Sequence, residues 1–187
     1  MIWQLPKDGS TIKAAFFSDT VFAYPTEAVY GLGGNPASEK AIHQILQLKG
    51  RAASKGLIMV ANDWAQCENW IGAVSLSDKK AMIALSQERP TTFILPAGKK
   101  VARQLTDAET GRVALRISMH PIIQALCKLF NQPIISTSAN LSGEAPAQSA
   151  EKVQQIFPTL PLIAGSLGQA TRPSRIIDWE TKQIIRQ

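Results

Sequence analysis

Short apolar runs set between amphipathic stretches govern what this chain can fold into. Strand-like runs are V-F-A-Y at 21–24, L-I-M-V-A at 57–61, T-T-F-I-L at 91–95 and V-A-L-R-I at 113–117. P-I-I-S at 133–136, P-L-I-A at 161–164, S-R-I-I-D-W at 174–179 and Q-I-I-R at 183–186 follow. They are brief and mostly unbroken, the pattern of strands covered on both faces. Helical spacing fills the gaps between them. Residues 38–49 place Ile42, Ile45, Leu46 and Leu48 on roughly one face, with Ser38 as N-cap. Residues 77–88 open on Ser77 as cap and bury Met82 and Leu85, and 120–130 start His-Pro, with Pro121 suited to a first turn. A shorter helix is predicted at 149–157, capped by Ser149, and T-D-A-E-T-G at 106–111 reads as a surface turn between strands. Strands alternating with helices predict a single α/β domain over residues 1–187, in two or three layers.

Composition narrows the function classes. No apolar run approaches the ~20 residues needed to span a bilayer. The first ten residues, M-I-W-Q-L-P-K-D-G-S, lack the basic start and apolar stretch of a secretion signal, so a cytoplasmic location is expected. Cys67 and Cys127 are far apart and outside any C-x-x-C pair, the pattern of two buried free thiols. His43 and His120 have no acid or cysteine at ligand spacing, so no resident metal is expected. A loosely held Mg2+ arriving with a phosphate substrate stays open. The formal charge of +6 favours anionic partners, and no block of five like charges suggests a disordered basic tail.

Several motifs fail. G-L-G-G-N-P at 31–36 puts Pro36 where a dinucleotide fingerprint needs its third glycine, and neither G-x-x-x-x-G-K-[ST] nor G-x-S-x-G occurs. Three stretches remain. Y-P-T-E-A-V-Y-G-L-G-G at 24–34 is a strand running into a glycine-rich turn, with the Thr26 hydroxyl at the strand exit where open α/β sheets bind ligands. L-K-G-R-A-A-S-K at 48–55 ends the first long helix, with Gly50 as left-handed cap. There Lys49 and Arg51 serve either the helix dipole or a bound anion. I-I-S-T-S-A-N-L-S-G at 134–143 lays four hydroxyls and an amide at a strand end, either as self-bonded turns or as a cradle for phosphate and ribose oxygens. Arg116, inside an apolar run, needs a buried acid, a ligand, or an edge strand that leaves it in solvent.

Taken in order along the chain, these pieces resemble the YrdC-like family, the threonylcarbamoyl-AMP synthases. The resemblance rests on Y-P-T-E-A-V-Y-G-L-G at 24–33, the K-x-R of Lys49 and Arg51, V-A-L-R at 113–116, and His120-Pro121. S-T-S-A-N-L-S-G at 136–143 and P-S-R-I-I-D at 173–178 continue it, with Ser138 and Asn140 meeting the family's S-x-N. It implies a twisted mixed sheet flanked by helices, with a large, concave, positively charged cavity, in the short single-domain form. It also implies formation of threonylcarbamoyl-AMP and pyrophosphate from L-threonine, bicarbonate and ATP with magnesium. A transferase complex would then carry the threonylcarbamoyl group to the adenosine beside the tRNA anticodon.

By that resemblance Lys49 and Arg51 are catalytic and face phosphates and carbamate. Ser136, Ser138, Asn140 and Arg186, with Lys49, hold ATP, while Thr26, Arg116 and Ser174 orient threonine, Arg116 taking its carboxylate. Two departures stand out. Residues 87–92 read Q-E-R-P-T-T where relatives carry a Trp-Pro-Gly-Pro run, and Ala52 follows K-x-R where a proline is common. The competing expectation is a non-catalytic module binding tRNA or ribosomal RNA through Lys99, Lys100, Arg103, Arg172 and Arg175.

Overall fold

The computed structural model describes residues 1–50 and 57–187. Its strands are β1 (Ile2–Trp3), β2 (Phe22–Pro25), β3 (Tyr30–Gly33), β4 (Ile58–Ala61) and β5 (Thr91–Pro96). They continue as β6 (Arg112–Ile117), β7 (Ile134–Ser138), β8 (Leu162–Ile163), β9 (Arg175–Asp178) and β10 (Ile184–Arg186). Helices are α1 (Gly9–Phe17), α2 (Glu39–Lys49), α3 (Leu76–Glu88), α4 (Pro121–Phe130) and α5 (Ala150–Ile156). None of the described helices is long and apolar enough to cross a membrane.

The strands join in one mixed sheet, ordered β1-β8-β2-β3-β7-β4-β6-β5-β9-β10. β4–β6 and β5–β9 are parallel, while β2–β3, β3–β7, β4–β7, β5–β6 and β9–β10 are antiparallel. Burial follows the two-residue period of a strand. Phe22 and Tyr24 on β2, Val60 on β4 and Ile134 on β7 pack with Ile12 and Phe16 of α1 and with Ile123, Leu126 and Phe130 of α4. Their neighbours Ala23, Met59, Ala61 and Ile135 face the other way, toward Ile42 and Ile45 of α2, Met82 of α3 and Val153 of α5. The inner strands are therefore buried on both faces, as their unbroken apolar runs predict. Phe16 and Phe130 stack at 3.8 Å between ring centroids and tie α1 to α4.

Helix ends follow local chemistry. Ser38 accepts from the Ala41 N–H, Gly50 closes α2 at φ 63°, and Ser149 accepts from the Lys152 N–H. At α3 the predicted cap is displaced by two residues. Ser75 accepts from the Asp78 N–H, while Ser77 sits in the first turn with its hydroxyl against that of Ser75. Two serines two residues apart offer the same local signal, and only backbone direction chooses between them.

The glycine-rich stretch after Pro25 is a second difference. It forms the hairpin β2–β3 rather than a loop, with the turn held by the Thr26 N–H and hydroxyl, which both donate to the Val29 carbonyl. Glycine is required in it because a Cβ on Gly33 would sit 2.5 Å from the Tyr24 ring. β1 and α1 are also absent from the sequence expectation. β1 has two residues, and α1 shows a buried pair, Ile12 and Phe16, too brief a period to stand out.

Phe16→Ala removes one ring of the stacked pair that joins α1 and α4, and is expected to cost about 3–5 kcal/mol in urea unfolding.

Candidate active site

A cavity of about 780 Å³, near the upper end for small-molecule sites, opens on the face of the sheet that α1 and α4 cover elsewhere. Strand parity places its side chains. Ser136 pairs across from Ile58, so Ser136 and Ser138, two apart on β7, share a face. Arg116 stands in register with Val60 on β4 and therefore points to that same face. Beyond the Leu115–Phe93 pair it falls beside Thr92, which is paired with Ile176, itself opposite Arg186. Arg116 and Arg186 are thus three strands apart, roughly 14 Å by backbone, and both line the cavity through their long side chains. Burial first, then the Arg116 guanidinium, lowers the pKa of Arg186.

β6 is an inner strand, so the edge-strand account of Arg116 fails, and an acid partner is present. Arg116 is 7% exposed, and its Nη2 lies 3.1 Å from Glu27 Oε2. Ser118 donates its hydroxyl to Glu27 Oε1 at 2.6 Å, and the His120 N–H donates to that hydroxyl. Burial opposes charge on Glu27, but Arg116 and then the Ser118 hydroxyl outweigh it and hold the carboxyl below its ordinary value of 4.5. At the far end, Arg186 donates to the Ser174 carbonyl at 3.0 Å and to its hydroxyl at 3.2 Å. Ser174 in turn shares a hydrogen bond with Thr92. Glu27 is further fixed from behind: the Ala170 N–H donates to its carbonyl, and Gly168 packs so close that a Cβ there would lie 2.9 Å from the Glu27 Cα.

Thr26, Arg116, Ser136, Ser138, Ser174 and Arg186, all anticipated from sequence, line this one cavity. Lys49 and Asn140 lie in the network that carries its wall. Lys49 is 1% exposed, and its ammonium donates to the Ser138 carbonyl at 2.7 Å and to the Asn140 carbonyl and Oδ1 at 3.1 and 3.0 Å. Asn140 Oδ1 also accepts from the Ser138 hydroxyl, and its Nδ2 donates to the carbonyls of Leu141 and Glu144. The hydroxyl stretch is consequently a self-bonded turn, and its residues Ser136, Thr137 and Ser138 also line the cavity. Arg51 and Ala52 lie outside the described residues.

Glu27, Ser118 and Thr92 were not anticipated. Glu27 had a signal, since it follows Thr26 in Y-P-T-E and Arg116 called for an acid; Ser118 had none beyond directly following β6, and Thr92 none beyond its place on β5. Cys67 and Cys127 are free and buried, and burial pushes the Cys127 thiol up to about 12, the state of an inert thiol. Among the described residues, no group of three His, Cys, Asp or Glu side chains is arranged to hold a metal.

The family model for Sua5, YciO and YrdC proteins, described as "Telomere recombination", matches residues 14–187. The threonylcarbamoyl-AMP synthase of Dichelobacter nodosus is 56% identical over 184 residues, covering 98% of this chain and 96% of that protein. That of Serratia proteamaculans is 45% identical over 92% of each. Among solved structures, P. abyssi Sua5 complexed with L-threonine is similar with a TM-score of 0.78 at 29% identity, over 95% of this chain and 53% of that one. The chain thus spans about half the length of that Sua5. E. coli YciO, at 21% identity and a TM-score of 0.83, shares the fold over 100% of this chain and 95% of its own.

Two outcomes follow. Lys49→Met keeps the apolar stem but removes the donor from three oxygens of the 138–140 turn, and is expected to destabilise by about 3 kcal/mol in urea unfolding. Because the Glu27 carboxyl is depressed when folded, its contribution to stability is fully present above pH 4.5 and is lost as pH falls through its lower folded value. Thermal midpoints measured across that acid range should fall more steeply for the wild type than for Glu27→Gln.

Proposed function

The chain belongs to the Sua5/YciO/YrdC family, and from that premise we propose that it forms threonylcarbamoyl-AMP and pyrophosphate from L-threonine, bicarbonate and ATP. The observation that carries this reading is the pair of guanidiniums, Arg116 and Arg186, brought to one cavity from strands three apart, with the β7 hydroxyls beside them. Two converging cations beside one carboxylate suit a site for more than one anion, and this reaction brings a carboxylate, a bicarbonate and a triphosphate together.

In the reaction, the threonine ammonium gives up a proton to solvent, and the resulting amine attacks the bicarbonate carbon, forming an N–C bond with loss of water. An oxygen of the resulting carbamate then attacks the α-phosphorus of ATP in line, and the bond from that phosphorus to the β-phosphate bridging oxygen breaks, releasing pyrophosphate. No covalent enzyme intermediate is needed. The protein's part is to hold two anions at reacting distance and offset their repulsion. Arg116 would take the threonine carboxylate, with Thr26 and Ser174 beside it, and Ser136, Ser138 and Arg186 would hold the nucleotide. Lys49 and Asn140 would act on ATP through the turn they brace, with Arg51 as the cation nearest to them in sequence. Magnesium would enter on the triphosphate as its counter-ion. A single carboxylate, Glu27, lines the cavity's described wall, so no step is assigned to a metal.

The product would pass to a transferase that places the threonylcarbamoyl group on adenosine beside the tRNA anticodon, in the cytoplasm. Lys99, Lys100 and Arg103, between β5 and β6, are the basic side chains on which direct RNA contact would rest.

Purified protein supplied with ATP, magnesium, L-threonine and bicarbonate should release pyrophosphate, and leaving out either threonine or bicarbonate should stop it. Arg116→Ala should lower kcat/KM for threonine at least about 100-fold, given the ~1.5–3 kcal/mol of a charged hydrogen bond and the loss of its paired partner. Release that does not require threonine would overturn the proposal. RNA retention on a filter without any turnover would move it to the RNA module.

A further inference from the structure

Glu27 is not accounted for by the roles above, and its surroundings are more specific than those of a counter-ion alone. Its Oε1 is occupied by the Ser118 hydroxyl. Its Oε2 pairs by charge with Arg116 Nη2, yet accepts no well-formed hydrogen bond among the described residues. On the other side of the same ion pair, the buried Arg116 Nε likewise donates to none of them. One ion pair therefore presents an unused acceptor and an unused donor, both buried, at the wall of one cavity. Buried polar atoms left in this way cost free energy unless something meets them.

A simple anion satisfies the donor and is repelled by the carboxylate, and a simple cation does the reverse. An α-amino acid carries an ammonium and a carboxylate on neighbouring atoms, so a contacting carboxylate and guanidinium can meet both at once. The Glu27 side chain borders open space and is 14% exposed, although Oε2 itself is covered. A second cavity of about 460 Å³, bounded by Arg89, Met119 and Arg172, meets the first at Glu27, which lines both. Against burial, which opposes charge there, Arg116 and then Ser118 hold the Glu27 carboxyl below its ordinary value, which suits holding a cation.

We infer that Glu27 binds the substrate's α-ammonium group, so that Glu27 and Arg116 together form a clamp selecting a zwitterionic amino acid over a plain hydroxy acid. This rests on the proposed use of threonine. It assigns Glu27 a part in specificity, distinct from the support it gives to Arg116.

The test compares L-threonine with (R)-3-hydroxybutyrate, the same skeleton without the amine. Their affinities are measured by calorimetric competition in bicarbonate-free buffer containing ATP, for wild type and Glu27→Gln, with ATP affinity as the check on folding. Wild type should prefer threonine by about 10- to 100-fold, the range of one charge-assisted hydrogen bond. Glu27→Gln should lose threonine affinity by a similar factor while holding the analogue within about twofold. Equal loss of both ligands would overturn the inference, leaving Glu27 as a support for Arg116 alone, and unchanged threonine affinity would overturn it as well. Should Glu27→Gln fail to fold, the wild type still decides, because equal binding of the two ligands rules out an ammonium site. Wild-type protein that binds ATP but not threonine would instead overturn the function from which the inference starts.

Discussion

A guanidinium inside a ten-stranded sheet is the constraint around which the rest is arranged. Arg116 is on an inner strand, where apolar side chains serve stability better, and an uncompensated charge there would cost several kcal/mol. The fold meets that demand from the opposite end of the sequence. The β2–β3 hairpin delivers Glu27 at its turn, Ser118 at the end of β6 secures the second carboxylate oxygen, and the 168–170 segment straps the turn from behind. Breaking such a pair is more costly than never having it, so the pair fixes the hairpin against β6. Thermodynamically this is a poor way to stabilise a sheet and a good way to hold a charged site at a set position.

A second buried cation organises the opposite wall. The Lys49 ammonium, at the end of α2, gathers carbonyls from Ser138 and Asn140 that a strand exit would leave without partners. The turn is thus fixed by the helix behind it, and Ser136 and Ser138 line the cavity. Arg186 performs the same service for Ser174 at the far edge. Two of the cavity's described walls are thus held by cations, Lys49 and Arg186, whose donors go to carbonyl, amide and hydroxyl oxygens, the kind of preorganisation that efficient binding requires.

Much of this was legible in the residues. Eight of the ten described strands, four of the described helices and the two-sided burial of the inner strands follow from run length and period, because a buried strand and an amphipathic helix leave different periods. Six of the nine anticipated site residues line one cavity, since small hydroxyls and arginines in apolar strands are expensive without a purpose. What was missed fails for physical reasons. β1 is too short to show a period, α1 buries only Ile12 and Phe16 as large apolar side chains, and β3 is rich in glycine, which reads as a turn although here it makes room for the Tyr24 ring. Ser77 and Ser75 carry the same capping chemistry, and the choice between them depends on where the backbone turns.

The sequence by itself determined the class of sheet, the family and the set of side chains available to a site, because period, capping and polarity are local properties. Only the tertiary structure decided how those side chains are used. It made Lys49 a brace for the 138–140 turn, and it joined Glu27 to Arg116 across the β2–β3 turn and β6. Charge pairing acts through space, and strand order, unlike strand identity, is not written in any single stretch of the chain.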